Sequence, residues 1–233
     1  MFDLCFSLNE FAQKIKYKFE VPVDDNEKKA AACFYIRVIN GFQGTIILQK
    51  KGLASEAIVV LRGVYEAFSF LKNVVEEKGF LKKLLRDNDA RRLNNLNWVV
   101  GKKFKEISKL QIKEVKSEIA NLKSKNITNT DKIVIENINP KTYSLYRLFS
   151  SETHPGLSAV VRYLQDDNDS QAISWGPTSN NLEMTLVPAC TIIYDSLGLM
   201  ANYFNVDITD YMSNFRTQIE IAQLALEKES SKI

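Results

Sequence analysis

The sequence predicts an all-α fold, and three observations support that prediction. Most of the chain consists of long segments in which apolar residues recur every three or four positions, the period of a half-buried helix. Nine glycines and five prolines in 233 residues are too few for the many turns of an all-β sandwich. A composition of 45% hydrophobic and 25% charged residues is that of a globular protein, so we expect residues 1–233 to form a single helical domain.

The segment of residues 52–71, GLASEAIVVLRGVYEAFSFL, is the most densely apolar part of the chain and predicts a buried central helix. Its apolar side chains cover nearly half of the helix circumference, the width expected when several neighbouring helices pack against it. Four polar residues lie instead on one narrow strip: Ser55, Arg62, Glu66 and Ser69. Because apolar residues border this strip on both sides, we expect an arginine and a carboxylate to be drawn towards the interior.

Two helices are predicted before the central helix. The first covers residues 2–19, and Pro22 ends it. The second covers residues 27–51, and Gly52 either ends it in a left-handed C-cap or lies within one long bent rod. The central helix is expected to end near Gly79. The inward side chains of the second helix are predicted to be Ala30, Phe34, Val38, Phe42, Ile46 and Ile47.

The next segment predicts two helices with a strongly basic surface. One helix spans residues 80–98, and a second follows Gly101 and reaches Leu122. From Phe80 to Lys125 there are thirteen Lys and Arg against five Asp and Glu, a surplus of eight positive charges. We call residues 80–125 the basic hairpin, and we expect it to project as an insertion within the helical domain.

The basic hairpin is a candidate RNA-binding surface. A local surplus of positive charge attracts a polyanion by counterion release, and Trp98 and Phe104 offer rings on which bases can stack. The alternative interpretation is a solvated helix face that binds nothing. The candidate RNA-binding residues are Arg91, Arg92, Lys102, Lys103, Lys105, Lys109, Lys113 and Lys116.

The C-terminal half predicts further helices separated by a long loop. Pro140 is a suitable first-turn residue for one helix, and Pro188 is expected to kink another. Residues 166–181 have the composition of a loop. Tyr146 has the spacing of a core residue, and we assign it no chemistry. The helices are predicted over residues 140–149, 157–164, 182–204 and 208–228.

Several classes of site are not expected because the sequence lacks their motifs. It contains no phosphate-binding glycine-rich loop, dinucleotide-binding fingerprint, metalloprotease motif or nucleophile elbow. Cys5, Cys33 and Cys190 lie far apart without CxxC spacing, and His154 is the single histidine. We therefore expect no disulfide framework, no multi-histidine metal site and no cofactor.

The chain is expected to be cytoplasmic. The N-terminal segment MFDLCFSLNEF lacks the basic region and cleavage site of a secretory signal. The longest apolar runs, such as AIVVL, are too short to cross a bilayer, so no membrane partner is predicted. Scattered cysteines fit a reducing compartment.

Acid–base chemistry through an imidazole would have to use His154. Arg147 precedes it by seven positions, about two helical turns, so both side chains lie on one face if the helix persists that far. An arginine that holds a phosphate and a histidine that moves a proton are the groups that metal-independent RNA cleavage needs. In this interpretation Arg62 and Glu66 extend the site and orient the pair.

All-helical proteins with an arginine, four to six intervening residues and a histidine resemble the HEPN superfamily. The pair LRGVYEAFSFL and YRLFSSETHP is more closely similar to an uncharacterised bacterial helical family of HEPN-like outline. That family carries R-x3-E on a central helix and a downstream Ser-x3-His, which correspond here to Arg62, Glu66, Ser150 and His154. The similarity spans residues 33–204. The resemblance implies a HEPN-like helical bundle that cleaves RNA, as toxins and phage-defence ribonucleases do, with a site built across a homodimer.

Two functions are therefore predicted as alternatives. The first is a metal-independent RNA endonuclease of the toxin or phage-defence type, in which Arg147 and His154 act on the scissile phosphate and an antitoxin can be the partner protein. The second is a non-catalytic helical module that binds a partner protein, a small ligand or RNA through Arg62, Glu66, His154 and the basic hairpin. A structural interpretation stands beside both functions: Arg62 and Glu66 then form an i,i+4 ion pair within the bundle, and His154 is a capping or core residue.

Overall fold

The computed structural model describes residues 1–102, 108–125, 146–147, 149–150, 164–167, 170–173, 177–178 and 182–230. The chain divides into two compact units. The first unit contains Met1–Glu76 and Glu136–Ile233, and the second contains Glu77–Ile135. The prediction of one helical domain with an inserted hairpin at residues 80–125 stays a prediction.

Five long helices form the described part of the first unit. Helix α1 covers Phe2–Ile15 and continues into a 3-10 turn over Lys16–Lys18, so the α-helix is shorter than the predicted 2–19. The other helices of this unit are α2 (Asn26–Lys50), α3 (Ala54–Glu76), α6 (Leu182–Tyr203) and α7 (Thr209–Ser230). The second unit contains α4 (Phe80–Lys102) and α5 (Lys109–Ser124). These helices confirm the predicted all-α fold class.

Helices α2 and α3 form the centre of the first unit and run antiparallel. Phe34 stacks on Phe70, with ring centroids 5.5 Å apart, near one end of the pair. Nearer the other end the two backbones approach closely, because Gly41 lacks the Cβ that would lie 2.5 Å from Val64 Cγ2. The apolar stripe of α3 is buried in this contact and against α6, as the sequence predicts.

Helix α6 is almost entirely apolar and packs against α1, α2, α3 and α7. Its Cys190 sulfur lies 3.3 Å from the sulfur of Cys5 in α1, and both thiols are buried. The contact with Cys5 and burial both raise the pKa of the Cys190 thiol, so it stays protonated. The helix is continuous through Pro188.

Helix α1 also packs against α7, where the Phe11 and Tyr211 ring centroids lie 4.7 Å apart.

The turn between α2 and α3 resolves the alternative left open at Gly52. Gly52 has a φ of +73°, and the amide N–H of Leu53 donates to the carbonyl of Leu48 at 2.9 Å, as in a Schellman C-cap. The turn also binds the segment that precedes α6, because the Thr178 N–H donates to the Gly52 carbonyl at 3.0 Å. A Cβ at position 52 would lie 2.5 Å from Pro177 Cα, so glycine is required there for two reasons.

The second unit is a hairpin of α4 and α5. Phe80, Ala90 and Leu122 are the apolar residues buried in its described part. Ser108 begins α5 in a capping box: its side chain accepts from the Gln111 N–H, and the Gln111 side chain accepts from the Ser108 N–H. The predicted fourth and fifth helices therefore both form, and the fourth extends to Lys102 rather than ending at residue 98.

Two sequence predictions about local structure are wrong. Residues 166–181 were predicted to form a loop, whereas Leu164–Asp167 and Ser170–Ile173 form antiparallel strands β1 and β2, with Leu164 opposite Ile173. A four-residue strand is too short to give a clear alternating pattern. Ile47 was predicted to point inward on α2, but it is 48% exposed, whereas Ile46 beside it is buried.

Two helices in the described part of the chain are long and apolar enough to be compatible with a membrane span. These are α2 and α6, with mean hydropathies of 1.3 and 1.4 over their most apolar windows. Neither helix was predicted as a possible span, because scattered polar residues interrupt the apolar runs of both. Buried core helices pass the same test, and 67% of the α6 window is buried in the bundle. The cytoplasmic location stays a prediction.

Replacing Gly52 by alanine is expected to destabilise the first unit. The left-handed conformation alone costs a non-glycine residue about 1–2 kcal/mol, and the contact with Pro177 adds to that cost. Urea unfolding followed by circular dichroism measures the change. Gly63→Ala is the matched control, because its Cβ meets no atom within 4 Å inside α3 and should stabilise the helix by up to about 1 kcal/mol. Equal effects of the two substitutions would contradict this account of the turn.

Candidate functional site

The polar strip of α3 carries a half-buried ion pair. Arg62 Nη2 lies 2.9 Å from Glu66 Oε1, one helical turn further along α3, and the two side chains are 29% and 34% exposed. Leu61, Val64 and Tyr65 beside them are buried, so the strip lies at the edge of the core. The sequence predicts that these two charges are drawn towards the interior, and in the structure both side chains are half-buried.

A segment more than eighty residues further along the chain lies against this strip. Residues 146, 147, 149 and 150 are helical. Arg62 Nε donates to Ser150 Oγ at 3.1 Å, and Arg62 Nη2 donates to the Tyr146 hydroxyl at 3.1 Å. The Arg62 guanidinium carbon also lies 5.4 Å from the centroid of the Tyr146 ring, within range of a cation–π interaction.

Tyr146 closes the contacts into a ring. Its hydroxyl accepts from Arg62 and donates to Glu66 Oε1 at 3.1 Å, the same oxygen that pairs with Arg62. We call Arg62, Glu66, Tyr146 and Ser150 the Arg62 network. An exposed i,i+4 ion pair contributes only about 0.3–0.5 kcal/mol, whereas a hydrogen bond to a charged group contributes about 1.5–3 kcal/mol. The bonds to Tyr146 and Ser150, rather than the ion pair itself, therefore make the network a strong contact.

Apolar packing holds the same segment from the other side. Phe149 is buried, and its ring centroid lies 5.6 Å from that of Tyr65 on α3. Burial raises the pKa of the Tyr65 hydroxyl, and the negative charge of Asp195 raises it further. Tyr65 therefore stays neutral and acts in packing. A buried aromatic contact and three hydrogen bonds together fix residues 146–150 on the polar strip of α3.

Arg147 lies in this segment but outside the network. It is exposed, and no acidic residue in the described part of the chain forms an ion pair with it. The structure thus brings together Arg62, Glu66 and Ser150, three of the four positions named by the family resemblance. The fourth, His154, lies outside the described residues.

The network has further capacity to bind a ligand. Within the described part of the chain, the contacts of Arg62 use Nε and Nη2, which leaves Nη1 without a described partner. Guanidinium N–H groups bind phosphate and carboxylate oxygens well because their geometry matches two acceptor oxygens. Among the described residues no group of three or more His, Cys, Asp and Glu could hold a metal ion.

The predicted RNA-binding residues have different surroundings within the second unit. Arg91 pairs with Asp87 at 2.7 Å, and Arg92 pairs with Glu118 of α5. Lys113 and Lys116 are exposed. Lys102 and Lys109 lie in α4 and α5, while Lys103, Lys105 and Phe104 lie outside the described residues. Trp98 is 58% exposed, as a stacking residue would be.

Sequence reasoning missed Tyr146. Its spacing with Phe149 indicates a core residue, and a periodic pattern does not distinguish a buried hydroxyl from one that bridges two charges. A usable signal was present, since Tyr146 precedes Ser150 by one helical turn and therefore lies on the same face. A side chain that contacts Ser150 can therefore reach Tyr146 as well.

Removing the Tyr146 hydroxyl is expected to loosen this segment. Tyr146→Phe should lower the free energy of unfolding by about 1–2 kcal/mol, because it removes the two hydrogen bonds that the hydroxyl makes with the charged groups of Arg62 and Glu66. Tyr17→Phe at an exposed position is the control and should change stability by less than about 0.5 kcal/mol. Urea titration of both variants decides the matter. If Tyr146→Phe changes the free energy of unfolding as little as the control does, the network does not stabilise the fold.

The chain matches the model of a family described as "Family of unknown function (DUF5677)" over residues 28–171. This match covers more than half of the chain, contains the whole Arg62 network and ends before α6. Neither the curated proteins nor the solved structures compared with the chain give a match. The expectation of an uncharacterised family is confirmed, and the finer HEPN-like assignment stays a prediction. The chain belongs to the DUF5677 family of unknown function.

Proposed function

We propose that this protein is a metal-independent RNA endonuclease of HEPN-like type that acts as a toxin or in phage defence. In this proposal Arg147 and His154 act on the scissile phosphate, and Arg62 and Glu66 orient the segment that carries them. A cytoplasmic homodimer and an antitoxin as partner protein belong to the same proposal, which follows from the family resemblance.

One observation carries the proposal: the Arg62 network fixes the segment in which Arg147 is exposed. Ser150 is bonded to Arg62, Tyr146 is bonded to both Arg62 and Glu66, and Arg147 lies between them in sequence. An arginine that stabilises charge in a transition state must be held in place before the reaction, because reorganisation of a flexible side chain costs part of the gain. The network meets part of that requirement, because it holds residues on both sides of Arg147 in the sequence and so positions its backbone.

The reaction assigned to these groups is a transesterification within the RNA, in which the neighbouring 2′-hydroxyl displaces the 5′ oxygen from phosphorus. The 2′-hydroxyl of the RNA loses its proton and attacks the phosphorus, the bond to the 5′ oxygen breaks, and that oxygen takes up a proton. His154 is proposed to move these protons, and the Arg147 guanidinium offsets the charge that builds up on the phosphoryl oxygens. The products are a 2′,3′-cyclic phosphate and a free 5′-hydroxyl.

A second candidate function is a non-catalytic helical module that binds a partner protein, a small ligand or RNA. The observation in its favour is that Arg62 and Glu66 neutralise each other, and that Tyr146 satisfies both of them. Because these side chains bind one another, the network can serve only to position the segment, which then presents Arg147 for binding without catalysis.

The two candidates give different results in one assay. Wild-type protein is incubated with a fluorescently labelled RNA in excess EDTA, and the ends of any fragments are analysed. The ribonuclease proposal expects cleavage that Arg147→Ala and His154→Ala each slow by about 100-fold or more. Arg37→Ala removes an equally exposed arginine from α2 and should leave the rate unchanged.

Intact RNA after incubation with folded wild type contradicts the ribonuclease proposal. Cleavage that persists in His154→Ala and Arg147→Ala contradicts the assigned roles. Weaker RNA or partner binding in Arg147→Ala, without any cleavage by wild type, supports the module instead.

A further inference from the structure

Three acidic residues of the second unit form ion pairs with basic residues of the same unit. Asp87 pairs with Arg91, Asp89 pairs with Lys125 at 3.2 Å, and Glu118 pairs with Arg92. The last two contacts connect α4 to α5. The acids therefore neutralise the arginine pair of α4 and the end of α5, and they hold the hairpin together.

Three lysines of α5 are left outside these pairs. Lys113, Lys116 and Lys123 are exposed, and no acidic residue in the described part of the chain forms an ion pair with them. On a helical wheel they lie within an arc of about 80°, and Glu114 and Glu118 lie on the other side of α5. Helix α5 thus separates its charges, with one acid facing α4 and a lysine face turned away.

We infer that the face formed by Lys113, Lys116 and Lys123 is the surface that binds single-stranded RNA, whereas Arg91 and Arg92 serve to hold the hairpin together. This inference rests on the proposed function, which supplies RNA as the polyanion. The face extends over ten residues of helix, about 15 Å, enough for successive phosphates of one strand. It replaces Arg91 and Arg92 of the sequence prediction with Lys123, a residue which that prediction did not include.

A cation already paired within the protein neutralises an RNA phosphate poorly, because its acidic neighbour competes with the phosphate. An unpaired lysine can neutralise a phosphate and so release the cations condensed on the RNA, and each phosphate neutralised adds about 0.7 to the salt dependence for a single strand. The lysine face should therefore dominate the salt dependence, although the arginines carry the same formal charge.

The experiment measures RNA binding as a function of salt. Fluorescence anisotropy with a labelled single-stranded RNA gives the slope of log Kobs against log salt concentration, in the Arg147→Ala background so that the RNA stays intact. The triple substitution Lys113→Gln, Lys116→Gln and Lys123→Gln is expected to reduce that slope by about two. Replacing the same three residues by arginine should keep the slope, which separates loss of charge from loss of fold.

A control of equal charge change comes from the first unit. The substitutions Lys18→Gln, Lys51→Gln and Lys228→Gln also remove three exposed lysines and should leave the slope nearly unchanged. Arg91→Gln with Arg92→Gln should lower the stability of the hairpin and reduce the slope less than the lysine triple does. An unchanged slope in the lysine triple, or an equal fall in the control, would overturn the inference.

Two further comparisons complete the experiment. One tests whether the polyanion is RNA, and the other distinguishes failure of this inference from failure of the proposed function. Binding to single-stranded DNA alone, or to vesicles with anionic lipids and not to RNA, overturns the assignment of RNA. If wild type cleaves RNA but the lysine triple keeps the slope of its Arg147→Ala parent, the inference fails and the function stands. If the slope depends on the lysines but wild type never cleaves RNA, the ribonuclease proposal fails and the binding face stands.

Discussion

The candidate site depends on the hydrogen bonds that one group, the Arg62 guanidinium, makes with a distant segment of the chain. This group joins α3 to residues 84 and 88 positions further along the chain, through the Tyr146 hydroxyl and Ser150 Oγ. A guanidinium suits this task because its N–H groups are fixed in a plane and donate in several directions at once. Glu66 balances the charge, so that the arginine can lie at the edge of the core without a large desolvation cost.

The position of that arginine follows from the packing of the first unit. Helix α3 is covered by α2 on one side and by α6 on another, and its backbone approaches α2 closely at Gly41. Arg62 and Glu66 of the polar strip lie half-buried at the edge of these contacts, where Phe149 packs on Tyr65 and brings Tyr146 and Ser150 against them. Apolar burial supplies most of the stabilisation, and the Arg62 network fixes the register.

The helices and the polar strip could be predicted from the sequence because both depend on local periodicity. The strip of Arg62 and Glu66 was visible on a helical wheel, and the match to residues 28–171 contains the positions named by the resemblance. What could not be predicted are contacts between distant segments. Tyr146 was given a core role, since spacing does not reveal a partner on another helix. The pairing of Arg92 with Glu118 likewise needs the fold of the hairpin, so a count of charges did not show which cations are neutralised.

The central claim is that Arg62 and Tyr146 act together to hold the segment that carries Arg147. A double-mutant cycle with Arg62→Ala and Tyr146→Phe, measured by urea unfolding, tests it most directly because the cycle isolates the energy of that one contact. The account predicts a coupling free energy of about 1 kcal/mol or more, since both substitutions remove the hydrogen bond from the charged Arg62 Nη2 to the Tyr146 hydroxyl. Additive effects, with a coupling near zero, would contradict it.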